Sequence, residues 1–150
     1  MRVYLDVCCL NRPFDDQTQD KIRLESEAVL TILSHCQSGE WKLVGSEVVD
    51  FEISKIPDGE RKQRVSILAG LVEFNVIVDE AIKERAVKLQ TLGFKPFDAL
   101  HIACAERGDV DVFLTTDDKL LQKALKNNVL IKIRIANPLK WITEVMENGE

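Results

Sequence analysis

Short apolar segments alternate along the chain with longer segments whose apolar residues recur every three or four positions. The short segments are typical of buried strands, and the longer periodic segments are typical of helices that pack against a sheet. The pattern predicts five strands, at residues 2–5, 42–45, 74–78, 112–114 and 130–133. It predicts helices at about residues 18–37, 46–56, 58–72, 79–92, 98–106 and 117–126, and a last helix that carries Leu139, Ile142, Val145 and Met146.

The order of these elements determines the expected fold class. Strands that are separated by helices pair in parallel, and the helices then cover both faces of the sheet. Stop signals agree with the predicted helix ends, since Pro57 follows one helix and Gly93 and Gly108 follow two others. No linker, internal repeat or low-complexity segment divides the sequence. We therefore expect one α/β domain over residues 1–150.

The charge of the chain restricts how it binds a partner. Its formal net charge is −5, which opposes binding to a polyanion by long-range attraction alone. Contact with a nucleic acid would need a local basic surface or a bound cation. Candidates for such a surface, with an ordinary solvated face as the alternative, are Lys119, Lys123, Lys126, Lys132 and Arg134.

Apolar runs and cysteines favour a cytosolic location. No apolar run approaches the roughly 18 residues that a membrane span requires. Asp6 lies where a signal peptide would need an uninterrupted apolar core. The four cysteines include no C-x-x-C pair, which predicts reduced, mostly buried thiols rather than a zinc or redox site. We expect a cytosolic protein with no membrane contact.

Three acidic residues lie where predicted strands lead into helices. Asp6 follows the first strand, Asp98 begins a helix, and Asp117 follows the strand at residues 112–114. In an open parallel sheet the functional site lies beyond the carboxyl ends of the strands. Asp6 stands between apolar residues, and an isolated carboxylate there is unfavourable unless a cation pairs with it. A distant basic side chain or a metal ion is therefore expected beside Asp6.

Asp98 and Asp117 also have a structural explanation. Each lies near the start of a predicted helix, where aspartate is a preferred N-cap residue. Asp118 adds a negative charge to the first turn, where the helix dipole stabilises it. Capping and metal binding both remain open for these positions.

A fourth acid is expected from the helix at residues 46–56. Val49, Ile53 and Ile56 form its inward stripe, and Glu52 lies three residues after Val49 and four before Ile56. Glu47 falls on another face, as does Asp50. Glu52 is therefore the carboxylate expected to face the interior, with a position at the edge of the stripe, turned to water, as the alternative.

The acidic positions belong to an ordered set of short motifs that resembles PIN-domain proteins, a family that includes the ribonuclease toxins of VapBC toxin–antitoxin pairs. The resemblance covers essentially the whole chain, and the order of the motifs is more specific than any motif alone. The motifs are Tyr4-Leu5-Asp6, residues 46–52, Asp98-Ala99-Leu100-His101-Ile102-Ala103 and Leu114-Thr115-Thr116-Asp117-Asp118.

The resemblance implies a three-layer α/β/α sandwich with a central, mainly parallel sheet. It also implies a metal-dependent endoribonuclease that leaves a 5′-phosphate and a 3′-hydroxyl, with RNA as substrate, a small antitoxin as partner and a homodimer as assembly. The acids that it assigns to catalysis and metal binding are Asp6, Glu52, Asp98 and Asp117, with Asp118 as a neighbour of the last.

Two features depart from the family pattern or narrow it. Family members usually carry a small hydroxyl residue after the first aspartate, whereas this chain has Val7, which is expected to loosen the hydrogen bonding around Asp6 and to lower the catalytic rate. The segment at residues 11–16 resembles a subgroup of stand-alone bacterial proteins. That segment supports the resemblance to PIN domains more strongly than a role as the toxin of a toxin–antitoxin pair.

The available ligand atoms indicate the type of metal. Carboxylate oxygens without clustered histidine or cysteine favour Mg²⁺ or Mn²⁺ over zinc. His35 lies within a predicted helix and does not pair convincingly with His101. His101 lies one turn after Asp98, where it is expected to have a structural role, with orientation of Asp98 as the alternative.

Three hypotheses follow from these observations. The leading one is a metal-dependent ribonuclease, and the second is a non-catalytic PIN-like module that binds RNA or protein, which Val7 favours. The third is a receiver-like or phosphatase-like α/β protein, since such proteins also place aspartates at strand ends. A receiver would carry a lysine at the end of a late strand, and Lys132 instead falls within its predicted strand.

Overall fold

The computed structural model describes residues 1–149 of the chain. Its strands are β1 (Arg2–Leu5), β2 (Lys42–Ser46), β3 (Val72–Val76), β4 (Val112–Leu114) and β5 (Arg134–Ala136). They form one sheet in the order β3-β2-β1-β4-β5, and every neighbouring pair is parallel. Parallel strands need crossover connections, which explains why helical segments separate them along the chain.

Eight α-helices connect or follow the strands within the described residues. They are α1 (Val7–Asn11), α2 (Asp20–Gln37), α3 (Glu47–Ser54), α4 (Gly59–Ala69), α5 (Glu80–Thr91), α6 (Pro96–Arg107), α7 (Asp118–Lys126) and α8 (Pro138–Glu147). A 3-10 turn at Arg12–Phe14 lies between α1 and α2. The parallel sheet with its helices confirms the predicted three-layer α/β/α fold.

The centre of the sheet is apolar because helices cover it. Val3 and Tyr4 of β1 are fully buried, as are all three residues of β4. Continuous apolar runs of this kind are typical of strands in a parallel sheet that is covered on both faces. At the edge of the core, Trp41 and Trp141 pack edge to face with ring centroids 5.2 Å apart, which joins α8 to the segment before β2.

The strand order places a crevice at one end of the sheet. The chain runs outward from β1 to β2 and β3, and then resumes on the other side of β1 with β4 and β5. Ligand sites in open α/β sheets lie where the strand order reverses in this way, at the carboxyl ends of the strands. The backbone N–H of Asp6 donates to the carbonyl of Leu114 at 3.0 Å, so β1 and β4 end side by side at this point.

A buried carboxylate fixes the segment that follows α1. Glu25 of α2 is 1% exposed and accepts hydrogen bonds from Nε of Arg12 at 2.9 Å and Nδ2 of Asn137 at 2.6 Å. Arg61 of α4 donates to Asp15 at 2.8 Å. These contacts connect the segment at residues 11–16, whose sequence resembles a PIN subgroup, to three helices.

One predicted strand is wrong. Residues 130–133 were expected to form the last strand, but β5 is Arg134–Ala136, which pairs with β4 from Val112 to Leu114. The backbone groups of the expected segment bind side chains, since the carbonyl of Leu130 accepts from Arg85 and the N–H of Lys132 donates to Glu106. The apolar composition of residues 130–133 predicted a strand at that place. In the structure, the strand that pairs with β4 begins later in the sequence, at Arg134.

Two smaller differences lie near the amino terminus and in the third strand. No helix was predicted directly after the first strand, but Val7–Asn11 form a short helix that Asp6 caps. The third strand was expected at residues 74–78 and begins two residues earlier. In addition, no helix within residues 1–149 combines the length and the apolar character needed to cross a membrane.

Candidate functional site

Asp6 lies at the carboxyl end of β1 and caps α1. Its Oδ1 accepts a hydrogen bond from the N–H of Val7 at 2.8 Å, and its Oδ2 accepts one from the hydroxyl of Thr115 at 2.8 Å. The residue is 9% exposed. Within residues 1–149, the one basic group within 4.0 Å of the carboxylate is Nε2 of His101, at 3.9 Å from Oδ1. Asp6 is therefore held rigidly, with a weakly basic neighbour rather than a lysine or arginine.

Glu52 turns toward Asp6 from the opposite side of the crevice. Its Oε1 forms a hydrogen bond with Nε2 of His101, and its side chain remains 33% exposed. Glu47 and Asp50 are exposed on other faces of α3, as the helical spacing predicted. Ligand atoms of Asp6, Glu52 and His101 lie within 4.8 Å of one another. The helix thus presents one carboxylate to the crevice and its other acids to solvent.

A buried chain of polar side chains positions His101. The hydroxyl of Tyr4 lies 2.7 Å from Nδ1 of His101 and 2.7 Å from Oγ of Ser46. Ser46 is the N-cap of α3 and accepts from the N–H of Val49 at 3.2 Å. The chain therefore links β1, α6 and the start of the helix that carries Glu52. A buried tyrosine hydroxyl needs a partner, but the sequence did not reveal which residues would supply it.

The surroundings of His101 favour its protonated form. Burial lowers the pKa of the imidazole, but the hydrogen bond with Glu52 and the charges of Asp6, Glu52 and Asp98 act against it, and the net pKa is raised. When the ring is protonated, Nε2–H donates to Glu52, Nδ1–H donates to Tyr4, and Tyr4 donates to Ser46. His101 contacts Glu52 rather than Asp98, so it positions a different acid from the one that the sequence suggested.

Asp98 is half-buried, and the charges of Asp6 and Asp117 act on its carboxyl group. Burial, followed by the charges of Asp6 and then Asp117, raises the pKa of Asp98 to about 6. The helix N-cap is Lys95, with Pro96 in the first helical position, so the prediction that Asp98 caps its helix is wrong. The raised pKa of Asp98 comes first from burial and second from the negative charges of Asp6 and Asp117.

Asp117 confirms the capping interpretation. Its Oδ1 accepts from the N–H groups of Lys119 at 3.0 Å and Leu120 at 3.2 Å, at the start of α7. The same carboxylate acts electrostatically on Asp98. Asp118 is exposed and pairs with Lys21 at 2.8 Å. Only Oδ1 of Asp117 accepts the hydrogen bonds of the cap, so its negative charge still acts on the residues of the crevice. The charge of Asp118 is instead paired with Lys21.

Thr115 gives Asp6 a side-chain hydrogen bond from the end of β4. Its Oγ1 donates to Asp6 and accepts from the N–H of Asp117 at 3.2 Å. The sulfur of Cys8 lies 3.3 Å from the same hydroxyl. Asp6 thus keeps two hydrogen-bond donors although Val7 has no hydroxyl, and the effect of Val7 on the catalytic rate stays a prediction.

The remaining histidine and the cysteines have other roles. His35 stacks on Trp41, with centroids 4.3 Å apart, and pairs with Glu40. It does not join the acidic group. Three cysteines are buried, Cys8 is half-buried, and all four are free thiols, as predicted.

The residues of the crevice fit a divalent cation. The group whose ligand atoms lie within 4.8 Å of one another consists of Asp6, Glu52 and His101, and the predicted ligands Asp98 and Asp117 lie outside it. Carboxylate oxygens suit Mg²⁺ or Mn²⁺, whereas the imidazole of His101 is a ligand that the sequence did not place with the acids. Asp98 adds a half-buried carboxyl whose pKa is raised by burial and by the charges of Asp6 and Asp117.

The fold and this acidic crevice define a parallel α/β protein with its site at the switch point of the sheet. The sequence model of the PIN domain matches residues 3–126, and the chain therefore belongs to the PIN-domain family. No curated protein matches the chain. A similar solved structure is that of VapBC2 from Rickettsia felis bound to a DNA fragment from its promoter, with 14% identity, a TM-score of 0.60, and coverage of 91% of this chain and 98% of that chain. That likeness concerns the fold.

Proposed function

We propose that this protein is a metal-dependent endoribonuclease that hydrolyses phosphodiester bonds of RNA. Asp6, Glu52, Asp98 and Asp117 would hold Mg²⁺ or Mn²⁺. The observation that carries the proposal is the group of ligand atoms of Asp6, Glu52 and His101, which lie within 4.8 Å of one another. The raised pKa of Asp98, caused by burial and by the charges of Asp6 and Asp117, agrees with it. Carboxylates that lie close together repel one another, and this repulsion raises the pKa of one of them. A bound divalent cation would reduce the repulsion.

The four acids would have different tasks. Asp6 is fixed by two hydrogen bonds and is the rigid ligand, while Glu52 is held in direction by His101. Asp98 and Asp117 would add negative charge, since the charges of Asp6 and Asp117 both act on Asp98. A bound divalent ion supplies neutralisation of the phosphate and a more acidic bound water. His101, whose pKa is raised, keeps a proton beside Glu52 and so limits the repulsion between the carboxylates.

The finer parts of the proposal come from the family resemblance and the similar structure. The resemblance implies cleavage that leaves a 5′-phosphate and a 3′-hydroxyl. The VapBC2 structure is a complex of that type of protein pair, which supports a small antitoxin as partner of this chain. A homodimer and a cytosolic location remain predictions. An acidic protein can accept RNA at this site because the cation reverses the local charge.

Cleavage of single-stranded RNA by the purified protein tests the proposal. We expect cleavage in Mn²⁺ or Mg²⁺, none in chelator, and none from Asp6→Asn or Asp98→Asn. Asp111→Asn is the matched control, because Asp111 is an exposed aspartate at the amino end of β4 and binds the N–H of Arg2. Cleavage that persists in chelator, or in folded Asp6→Asn protein, would contradict the proposal.

A second candidate is a non-catalytic PIN-like module. The contact between His101 and Glu52 favours it, since a protonated imidazole balances part of the negative charge without a metal. Calorimetric titration with Mn²⁺ separates the two candidates together with the cleavage assay. Metal or RNA binding without cleavage of any RNA supports the module, and cleavage supports the enzyme.

A further inference from the structure

Two exposed phenylalanines directly precede acids of the crevice in the sequence. Phe51 precedes Glu52 on α3, and Phe97 precedes Asp98 on α6. Their rings are stacked, with centroids 5.7 Å apart and planes 12° from parallel. Phe51 is 48% exposed and Phe97 is 44% exposed. A stacked pair of large apolar rings that the fold leaves half in water is a surface suited to a flat apolar ligand.

A positive charge lies over one ring, and another precedes the second ring in the sequence. Nζ of Lys55 lies 5.1 Å from the centroid of the Phe51 ring. Lys95 is the N-cap residue of α6, two residues before Phe97, and its side chain is exposed. These two lysines belong to the same two helix ends as the rings. Cations beside exposed aromatic rings match a ligand that alternates flat bases with negative phosphates.

The acidic side chains near the rings accept hydrogen bonds from other residues. Glu47 accepts from the N–H of Val78 at 2.7 Å, and Asp50 accepts from Nδ2 of Asn75 at 3.2 Å. Both lie in the groove beside Phe51 and Phe97, which Lys83 also lines. The groove itself is therefore mixed in charge, with both rings in its lining. Lys55 lies over the Phe51 ring, and Lys95 lies at the start of α6.

We infer that Phe51 and Phe97 form an aromatic platform on which an unpaired RNA base stacks, next to the phosphate that the acidic crevice receives. Lys55 and Lys95 would contact the neighbouring phosphates. The inference rests on the proposed function. Stacking on aromatic rings strengthens binding about 5- to 150-fold per base and does not depend on long-range charge, which suits a protein with a net charge of −5. Bases in a duplex do not offer their faces, so the platform selects single-stranded RNA.

RNA binding by Asp6→Asn protein tests the platform without cleavage. The probe is a short single-stranded RNA oligonucleotide, and its affinity is measured by fluorescence anisotropy with and without Phe51→Leu and Phe97→Leu together. We expect the double substitution to weaken binding about 10-fold or more. Phe51→Trp with Phe97→Trp should restore the affinity. Because the lysines remain, the dependence of binding on salt should not change.

Phe74→Leu is the matched control. Phe74 of β3 is 42% exposed and also has cations over its ring, with Arg2 at 5.0 Å and Lys42 at 5.6 Å from the centroid. Arg2 and Lys42 begin their strands, so this aromatic surface lies at the opposite end of the sheet from the acids. Its substitution should leave RNA affinity unchanged.

Abasic RNA gives a second measurement that does not depend on the protein variants. One base at a time is removed from the oligonucleotide, and each RNA is tested with the Asp6→Asn protein and with the same protein carrying both leucines. At one nucleotide near the cleavage site, removal of the base should weaken binding of the RNA to the Asp6→Asn protein. The same removal should have no effect on binding to the protein in which both phenylalanines are leucine. This coupling identifies stacking rather than a general loss of structure.

The outcomes separate this inference from the proposed function. Unchanged affinity in the double leucine protein, or an absence of RNA binding, overturns the platform, while metal-dependent cleavage would still support the nuclease. RNA binding that depends on the rings, without cleavage by the wild type, supports the platform and contradicts the nuclease. A dimer that dissociates in the double leucine protein, measured by sedimentation, assigns the rings to an interface between copies and overturns the platform.

Discussion

The hydroxyl of Thr115 donates a hydrogen bond to the carboxylate of Asp6 at 2.8 Å, although the two residues are 109 positions apart in the sequence. The same oxygen accepts from the N–H of Asp117. Thr115 therefore binds both Asp6, which follows β1, and Asp117, which is the N-cap residue of α7. The relative position of two acids in the crevice depends on this contact.

Thr115→Val should disturb the site more than its small change in volume suggests. The substitution removes a buried hydrogen bond to a charged group and leaves Oδ2 of Asp6 without its donor, which should lower the free energy of unfolding by about 2 kcal/mol. Urea denaturation measures this loss, and Mn²⁺ titration should show weaker binding. Thr115→Ser keeps the hydroxyl and should recover most of both properties. Equal behaviour of the valine and serine proteins would show that the hydroxyl does not position Asp6.

Tyr4→Phe tests the buried polar chain behind His101. It removes the oxygen that bridges Ser46 and Nδ1 of His101 without changing the packing of the ring. We expect a loss of about 1–2 kcal/mol in the free energy of unfolding, because two polar atoms remain in the interior without this partner. Urea denaturation gives the stability, and NMR titration of His101 reports whether its environment changes. An unchanged stability would mean that the chain of hydrogen bonds contributes nothing to the fold.

The stability of the metal-free protein should fall as the pH rises from about 4 to 6. The pKa of Asp98 is raised from 3.8 to about 6 by burial and by Asp6 and Asp117, so the folded protein holds a proton in this range that the unfolded chain has lost. The raised pKa of His101 acts in the same direction at higher pH, since its stabilisation is present below 6.5 and is lost as the pH passes the folded value.

Asp98→Asn identifies the part of this pH dependence that Asp98 causes. The variant should flatten the decline between about pH 4 and 6, and at neutral pH it should be about 1 kcal/mol more stable than the wild type in chelator, a figure reduced for the partial exposure of the side chain. Thermal unfolding over a pH series in chelator measures both effects. If the decline keeps its size in the variant, another group causes it.

Glu25→Gln should destabilise the protein strongly. Glu25 is fully enclosed between Arg12 and Asn137, and loss of its charge leaves the guanidinium of Arg12 without its buried partner. A loss of about 3 kcal/mol is expected for such a pair. Glu27→Gln, an exposed change on the same helix, should alter the stability by about 0.5 kcal/mol or less. Similar losses in the two variants, measured by urea denaturation, would rule out a specific role for the buried pair.

Local sequence patterns were sufficient for most of the helices and strands. The apolar strand at Arg2–Leu5 and the periodic helix at Asp20–Gln37 depend on neighbours a few positions away, and such neighbours are visible in the sequence. The strand predicted at residues 130–133 was wrong because its backbone groups bind Arg85 and Glu106 instead of β4. No local pattern contains that information.

The sequence by itself determined the alternation of strands and helices and the position of Asp6 after a buried strand, while Mg²⁺ or Mn²⁺ as the metal stays a prediction. Only the tertiary structure decided that His101 binds Glu52 and Tyr4, that Lys95 rather than Asp98 is the N-cap residue of α6, and that Thr115 donates to Asp6. The reason is physical. A secondary-structure element is stabilised by residues close to it in the chain, whereas these contacts join residues far apart in sequence and exist only once the sheet has been assembled and the ends of its strands lie side by side.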